Sequence, residues 1–466
     1  MSYKLFFEKL INFTSLTQPK QVKTKIKQSG NKIIDDFISY TCGRIEYIPY
    51  EKFENIEFIA KGGFSKIYKA NWIDNPNEVV LKKLNNSKNI TPKELNELKV
   101  FCDYHEKPIP RLSSNISNIS KYFGITQDPN TQDFMIIMAY YNLGDLTNYI
   151  NNNFYDMSWY SKLGHLRNII DGLINIHYAN IIHRDFHSGN IFFHIDLKDL
   201  NEYRLEKLGK PRIIIGDLGI SKSATESTDD NNENYGIIPY MAPEIFQGKK
   251  YTKASDIYSF GMIMWEFMTG RRPFWDEIHD IELIIKISDG LRPPIVTNAP
   301  EGYIELMKEC WFSNPEKRPT AADIKDKIEK LCTSESYDDW YSEKYTHITP
   351  SPDIGPVTIN KRSAIYKSRP LSGMIKSAMS LRNSRSQTID LETDPFYYYR
   401  KSNVESATKR KFEDNLIEEN NDNYNGQCIK RKKLSENENA EPELDINTNY
   451  NHEYITKEIE LDINAL

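Results

Sequence analysis

Cysteine is scarce: Cys42, Cys102, Cys310, Cys332 and Cys428 are the only five in 466 residues. They are scattered, and no two form a CxxC pair, which excludes a zinc-knuckle or disulfide framework. Reduced thiols, the habit of intracellular chains, are expected instead. No apolar run approaches the roughly 18 residues needed to cross a bilayer, so no membrane span is expected. The opening residues, Met1 to Ile11, mix Lys4, Glu8 and Lys9 with Phe6, Phe7 and Leu10. They are too charged for a signal-peptide core and read as a short amphipathic helix rather than an anchor. Charge of one sign is also lacking. A net charge of −6 argues against a chain built to coat nucleic acid or anionic membrane, and no nucleic-acid partner is expected. Hydrophobic residues, at 39 %, fall below the globular average, so part of the chain is not building a core.

The ordered part divides by period. Residues 1–52 are a polar lead with modest helical patches. From Phe53 to about Ala70 the pattern alternates around a glycine pair, as in a strand, a tight turn and a strand. A turn at Asn75-Pro76-Asn77 leads into a strand over 76–84. Thr91-Pro92-Lys93-Glu94 predicts a helix start, with Thr91 capping, Pro92 at the first helical position and Glu94 bonding back. A Pro/Ser/Asn-rich connection, Pro108 to Ser117, precedes two strand-like runs around Tyr122 and Ile136. After Gly144 the period becomes helical. Leu163, Leu166, Ile169, Ile170, Leu173, Ile174 and His177 recur at three- and four-residue spacing. Further helices are expected near 254–269, 276–288 and 300–312. A small β-rich lobe (53–141) followed by a larger α-helical lobe (142–332) is an α+β architecture. From about Ser334 apolar periodicity is lost, and 333–466 reads as a low-complexity, mostly disordered tail.

Four segments carry chemistry, and together they supply what phosphoryl transfer needs: a phosphate cradle, a cation, metal ligands and a carboxylate near the attacking hydroxyl. In Ile59-Ala60-Lys61-Gly62-Gly63-Phe64-Ser65-Lys66-Ile67, Gly62 and Gly63 let backbone amides approach a phosphate. Alone this is ordinary turn chemistry. In Val79-Val80-Leu81-Lys82 a lysine ends an apolar strand, a placement that is costly unless the ammonium meets an anion. Lys83 points to the opposite face. Of the nearby acids, Glu94 is occupied as a cap partner, whereas Glu97 lies one turn before Phe101 on its face and is the expected partner of Lys82. In His183-Arg184-Asp185-Phe186-His187-Ser188-Gly189-Asn190, Asp185 and Asn190 can serve one site, the first toward a hydroxyl and the second toward metal. In Ile213-Ile214-Ile215-Gly216-Asp217-Leu218-Gly219 an apolar strand ends on Asp217, placed to ligate Mg²⁺, which prefers carboxylate and phosphate oxygens.

In this order, and followed by Ala242-Pro243-Glu244, these segments resemble the eukaryotic protein kinases. Asp256-Ile257-Tyr258-Ser259-Phe260-Gly261 and Cys310-Trp311 through Arg318-Pro319-Thr320 extend the resemblance from Phe53 to Cys332. It implies a bilobal kinase fold, ATP and Mg²⁺ as cofactors, and protein substrates. It implies that Lys82 holds the α- and β-phosphates, that Asp185 is the catalytic base, and that Asn190 and Asp217 bind the metal. Ile59, Gly62 and Gly63 would cover the nucleotide. Met138 takes the gatekeeper position, Ala139 to Tyr141 the hinge, and Ile67, Val80 and Phe192 the walls around the adenine. Phe101, Tyr122, His183 and Leu218 would stack into a column based on Asp256, and Glu244 would pair with Arg318.

Some positions depart from the family. Ala60 and Ser65 replace the first and third loop glycines, which stiffens the loop. His187 and Ile237 stand where Ser/Thr kinases carry lysine and threonine. The combination is similar to the tyrosine-kinase-like group, whose members mostly phosphorylate Ser/Thr. Ser/Thr acceptors are therefore expected, with tyrosine as the alternative. A catalytically weak scaffold that signals by binding is the second function class. Arg184 suggests an activation-loop phosphate, for which Ser221, Ser223, Thr225, Ser227, Thr228 and Tyr235 are candidates. The clusters Lys409–Lys411 and Lys430–Lys433 suggest an import receptor as partner, although nearby acids make solvated charge the plainer reading. Cytoplasmic and nuclear locations both fit.

Overall fold

A computed structural model describes residues 28–63, 65–75, 77–107, 118–195, 211–223, 234–335, 346, 348–357 and 364–384. The opening amphipathic segment, Phe64, the turn proline Pro76, the candidate phosphorylation sites Thr225, Ser227 and Thr228, and both basic clusters lie outside them.

The first part opens with α1 (Lys32–Tyr40) and strands β1 (Glu46–Tyr47), β2 (Phe53–Lys61), β3 (Ser65–Trp72) and β4 (Glu78–Leu84). Helix α2 (Asn96–Glu106) and strands β5 (Tyr122–Gln127) and β6 (Phe134–Ala139) complete it. The six strands form one sheet in the order β1-β5-β6-β4-β3-β2. All pairs are antiparallel except β1–β5. Alternation along β4 sends Val79, Leu81 and Lys83 to the buried face. There Lys83 meets the Asp128 carboxylate at 2.5 Å. Val80 and Lys82 face the other way, as period-two geometry requires.

The expected helix start at Pro92 is displaced. Thr91 N does donate to Glu94 Oε2 at 2.7 Å. That reciprocal contact, however, closes a chain of i→i+3 turns (Glu94 N to Thr91 O, Asn96 N to Lys93 O). These turns bury Ile90 and Leu95. The α-helical ladder begins only where Lys99 N reaches Leu95 O.

The polar lead also contributes structure to this lobe. Asn31 caps α1 through the amides of Ile33 and Ile34, the usual work of an Asx N-cap. Ile34, Phe37, Ile38 and Ile45 pack in one cluster with Leu98, Phe101 and Cys102 of α2 and with Tyr122 and Ile136. Tyr40 donates to Asp103 at 3.2 Å.

The second part is helical: α3 (Leu146–Asn153) and α4 (Trp159–Tyr178) lead into short strands β7 (Ile181–Ile182), β8 (Ile191–His194) and β9 (Arg212–Ile215). Then follow β10 (Lys222–Ser223), β11 (Tyr235–Gly236), α5 (Pro243–Phe246), α6 (Lys253–Thr269), α7 (Ile281–Ser288), α8 (Tyr303–Cys310) and α9 (Ala321–Ser334). The apolar α4 residues picked out by spacing belong to the core, with Ile174 at its margin, and His177 is buried. Helix α6 is buried from Ser255 to Thr269. Gly261 there is required by close packing, because a Cβ would stand 2.6 Å from Trp311. Helices α7 and α8 start later than their apolar patterns suggest, because caps fix the starts. Asp280 accepts from Leu283 N at 3.1 Å, and Gly302 takes a left-handed φ of 88° before α8.

Within the stretch expected to be mostly disordered, residues 364–384 fold onto the helical lobe. Strand β12 (Arg369–Pro370) pairs antiparallel with β11, and α10 (Ser372–Ser384) lies on α7. Upstream, Ile354 is buried in the same core.

Candidate active site

Lys82 faces the cleft from strand β4, and α2 brings Glu97 to it with the phase the sequence implied. Lys82 Nζ lies 2.8 Å from Glu97 Oε2 and 2.8 Å from Asp217 Oδ1. Burial alone would push the ammonium down; the Asp217 and Glu97 carboxylates outweigh it and hold Lys82 above its ordinary value. The same lysine, against burial, holds the Asp217 carboxyl below the usual carboxylate range. Burial dominates at Glu97 and raises it. One partner of Glu97 was not legible in the sequence. The Tyr122 hydroxyl donates to Glu97 Oε1 at 2.8 Å, while its ring packs against Phe101 at 4.9 Å, tilted by 55°. Only the ring was expected; nothing in a strand-like run signals where a hydroxyl will point.

The catalytic-type loop is held from beneath by a buried carboxylate. Asp256 accepts from the backbone amides of His183 and Arg184 at 2.9 and 3.0 Å, and from His177 Nε2 at 2.9 Å. His183 Nε2 donates to the Gly216 carbonyl at 3.1 Å, tying this loop to the strand end that carries Asp217. Phe101, Tyr122, His183 and Leu218 are all buried. Asn190 Nδ2 donates to the Asp185 carbonyl at 2.9 Å, and the Asn190 carbonyl accepts from Gly216 N. The loop therefore brings Asp185, Asn190 and Asp217 into one site. Asn96 at the start of α2 adds a bridge, donating to the carbonyls of Gly219 and Ser221 at 2.9 and 3.1 Å.

His187 is the least usual member. In the neutral ring Nδ1 accepts from Gly189 N at 3.0 Å and Nε2 carries the proton, facing Asp185 Oδ2 at 3.7 Å. Burial opposes the charged ring, but the Asp185 carboxylate outweighs it and raises His187 above the ordinary histidine range. Next to it, Ser188 Oγ meets Tyr240 OH at 3.1 Å, and Tyr240 donates to Glu266 at 2.8 Å. Burial pushes that glutamate up to about 7. This network also escaped the sequence reading.

The residues expected to wall a nucleotide fall on both lobes. Val80 pairs with Met138 across β4 and β6, and Ile67 pairs with Lys82. Phe192 stacks on Tyr141 at 5.6 Å, and the Tyr141 hydroxyl donates to Ser120 Oγ at 3.2 Å. Ala139 N donates to Lys121 O. Ile59 is 46 % exposed on β2. Gly62 N donates to Ser65 O at 2.8 Å, closing the turn above the cleft. Glu244 and Arg318 form a buried bidentate pair with both contacts at 2.7 Å.

Two lobes that meet over a strand lysine paired with two carboxylates, Glu97 and Asp217, with the Asp185 carboxylate on a loop held by Asp256, define the protein-kinase class. The chain belongs to the protein tyrosine and serine/threonine kinase family, which matches residues 53–328, more than half of its length. It is 30 % identical over 293 residues to the probable serine/threonine-protein kinase pats1 of Dictyostelium discoideum, spanning 61 % of this chain and 9 % of that protein. It is 27 % identical over 290 residues to the tyrosine-protein kinase SPK-1 of Girardia tigrina, spanning 60 % of this chain and 53 % of that protein. A putative serine/threonine-protein kinase/receptor, R831, of Acanthamoeba polyphaga mimivirus is 29 % identical over 213 residues, 45 % of this chain and 12 % of that protein. The chain thus spans between a tenth and about half of these relatives.

Proposed function

We propose that the chain is an active protein kinase that moves the γ-phosphoryl group of ATP to Ser/Thr hydroxyls of proteins. The observation that carries this reading is the position of Lys82 Nζ, 2.8 Å from both Glu97 and Asp217. The cation that must meet the phosphates is already aligned, and the carboxylates that hold it come from separate elements, α2 and the loop after β9. Preorganised charge of this kind lowers the barrier without reorganisation at the moment of reaction.

The donor set suits Mg²⁺. Asp217 keeps a side chain 43 % exposed, and its described bonds run through Oδ1, leaving Oδ2 toward the cleft. Asn190 commits its amide nitrogen to Asp185 O, which leaves its oxygen for a cation. Mg²⁺ takes one or two such protein oxygens and completes its shell with phosphate and water. When bound, it neutralises charge on the phosphates. Asp185 orients the acceptor hydroxyl and takes its proton. Lys82 holds the non-transferred phosphates, and the hinge beside Met138 reads the adenine. Ser/Thr preference rests on the similarity to the probable serine/threonine kinases above, with tyrosine the alternative raised by SPK-1.

The test is phosphate incorporation from labelled ATP with Mg²⁺, comparing the chain with Asp185→Asn. Loss of at least a hundredfold is expected, in the range of a lost general base. Equal incorporation by both would overturn the reading in favour of a scaffold that signals by binding.

A further inference from the structure

The stretch after residue 363 is held along the mouth of the cleft by contacts of several kinds. Strand β12 is sewn to β11, with Pro370 opposite Tyr235 and Arg369 opposite Gly236. Leu371 N donates to Asn234 O at 2.7 Å, and Asn234 N donates to Ser372 Oγ at 2.8 Å. Side chains fix the register on either side. The Tyr366 ring lies 3.8 Å beneath the Arg272 guanidinium, and its hydroxyl donates to Pro273 O at 2.9 Å. Arg369 donates to His279 O at 2.7 Å. Leu371, Ile375 and Ala378 are buried in the core of the helical lobe, and Arg382 pairs with Asp289 at 2.6 Å.

The same segment reaches the other lobe. A Cβ added to Gly63, at the tip of the turn between β2 and β3, would stand 2.9 Å from the Ser368 carbonyl. One extended strand therefore touches both the turn above the phosphate site and the segment that runs from Asp217 to Glu244. A protein acceptor must enter between these two surfaces to bring a hydroxyl to Asp185. No described bond of the strand reaches Lys82, Asn190 or Asp217.

We infer that residues 364–384 occupy the protein-acceptor channel of their own chain by strand addition to Asn234–Gly236, so that protein acceptors are excluded while nucleotide still enters. Strand addition supplies affinity through the main chain and specificity through alternate side chains. Here Tyr366 and Leu371 are the seated ones. A tethered occupant acts at an effective concentration of order millimolar. An external acceptor must compete with it, and its apparent KM rises by the inverse of the fraction of open chains. The inference rests on the kinase reading proposed above, and its test separates the two.

The full chain is compared with its Tyr366→Ala/Leu371→Asp variant, using casein as acceptor. Amide exchange should show Leu371 and Asn234 protected in the wild type and open in the variant. The KM for casein should fall by about tenfold or more, with the KM for ATP unchanged. A synthetic peptide of residues 364–384 should inhibit the variant competitively against casein and not against ATP. Unprotected amides in the wild type would overturn the inference. So would a released strand with an unchanged KM for casein, or a change in the KM for ATP alone. If neither protein transfers phosphate, the kinase reading fails by itself. Occupancy is then read from the labelled peptide, which should bind the variant and not the wild type; equal binding refutes it. Should Leu371→Asp not fold, Tyr366→Ala with Ser372→Ala removes contacts made only by the segment and carries the same comparison.

Discussion

Replacing Tyr122 by phenylalanine removes one oxygen and leaves the ring on Phe101. The lost bond runs from a buried hydroxyl to a buried carboxylate at 2.8 Å. Hydrogen bonds to charged groups contribute about 1.5–3 kcal/mol net. The ring's burial and its 4.9 Å contact with Phe101 are kept, so the hydroxyl alone sets the loss. In a domain of this size that corresponds to a fall in Tm of several degrees, at about 2–4 °C per kcal/mol. The pH dependence is the sharper signature. Glu97 is raised in the folded state, burial outweighing Lys82 and Tyr122, which both act to lower it. A carboxyl raised above its unfolded value contributes stability at low pH and loses it as pH rises through the folded value. Losing the Tyr122 donor raises Glu97 further. The variant's deficit is therefore largest where Glu97 is ionised in the wild type, and it narrows as pH falls through that range. Thermal unfolding of both proteins in buffers from pH 5 to 8 measures this. A deficit that is the same at every pH, or below about 0.5 kcal/mol throughout, would refute the argument that the hydroxyl stabilises a charged Glu97.

Two further outcomes follow from buried cations. His187 is raised by Asp185 against burial, so its charge is present at low pH and lost as pH rises through the raised value. If that charge supports transfer, as lysine does at this position in the resembled kinases, the kcat of the wild type declines on that limb and His187→Lys keeps it flat to higher pH; superimposable profiles would contradict this. Lys162 is fully buried over the Phe154 ring at 3.8 Å, and its Nζ has no hydrogen-bond partner among the described residues. Burial pushes it down to about 7. A lysine lowered on folding makes stability rise between the folded and unfolded values. Lys162→Met should therefore stabilise by about 1–4 kcal/mol at pH 7, with the gain shrinking toward pH 10, as followed by urea unfolding; a gain that does not depend on pH would refute it.

The polar catalytic positions were legible because their chemistry is written in short contiguous strings. Asp185 and Asn190 share one loop, and Asp217 ends one apolar strand. Glu97 was reachable because helical phase relative to Phe101 distinguishes it from Glu94. The start of α2 was not, because a reciprocal Thr91–Glu94 contact has the same sequence whether it caps a helix or closes a run of turns. Burial of Ile90 and Leu95 decided it. The packing of α1 into the core and the folding of the segment 364–384 were missed for a common reason. Each offers only a few apolar residues, such as Ile34, Phe37 and Ile38 or Leu371 and Ile375, and these are paired with surfaces far away in sequence. Local composition reads such segments as unable to build a core, and by themselves they are.

The pairing of β1 with β5 gives the sheet a different outline from the one the family boundary suggests. Tyr122–Gln127 would be an open edge without Glu46–Tyr47 beside it, and open edges are templates for pairing with foreign chains. The cover is intimate, since any side chain at Gly124 would collide with the Glu46 carbonyl. The flank also carries Ile34, Phe37, Ile38 and Ile45 into the hydrophobic layer behind α2. Cutting the chain at Phe53 would thus uncover an unpaired strand and an apolar face together, so the unit that stays soluble as one body begins before the first residue that the family has in common.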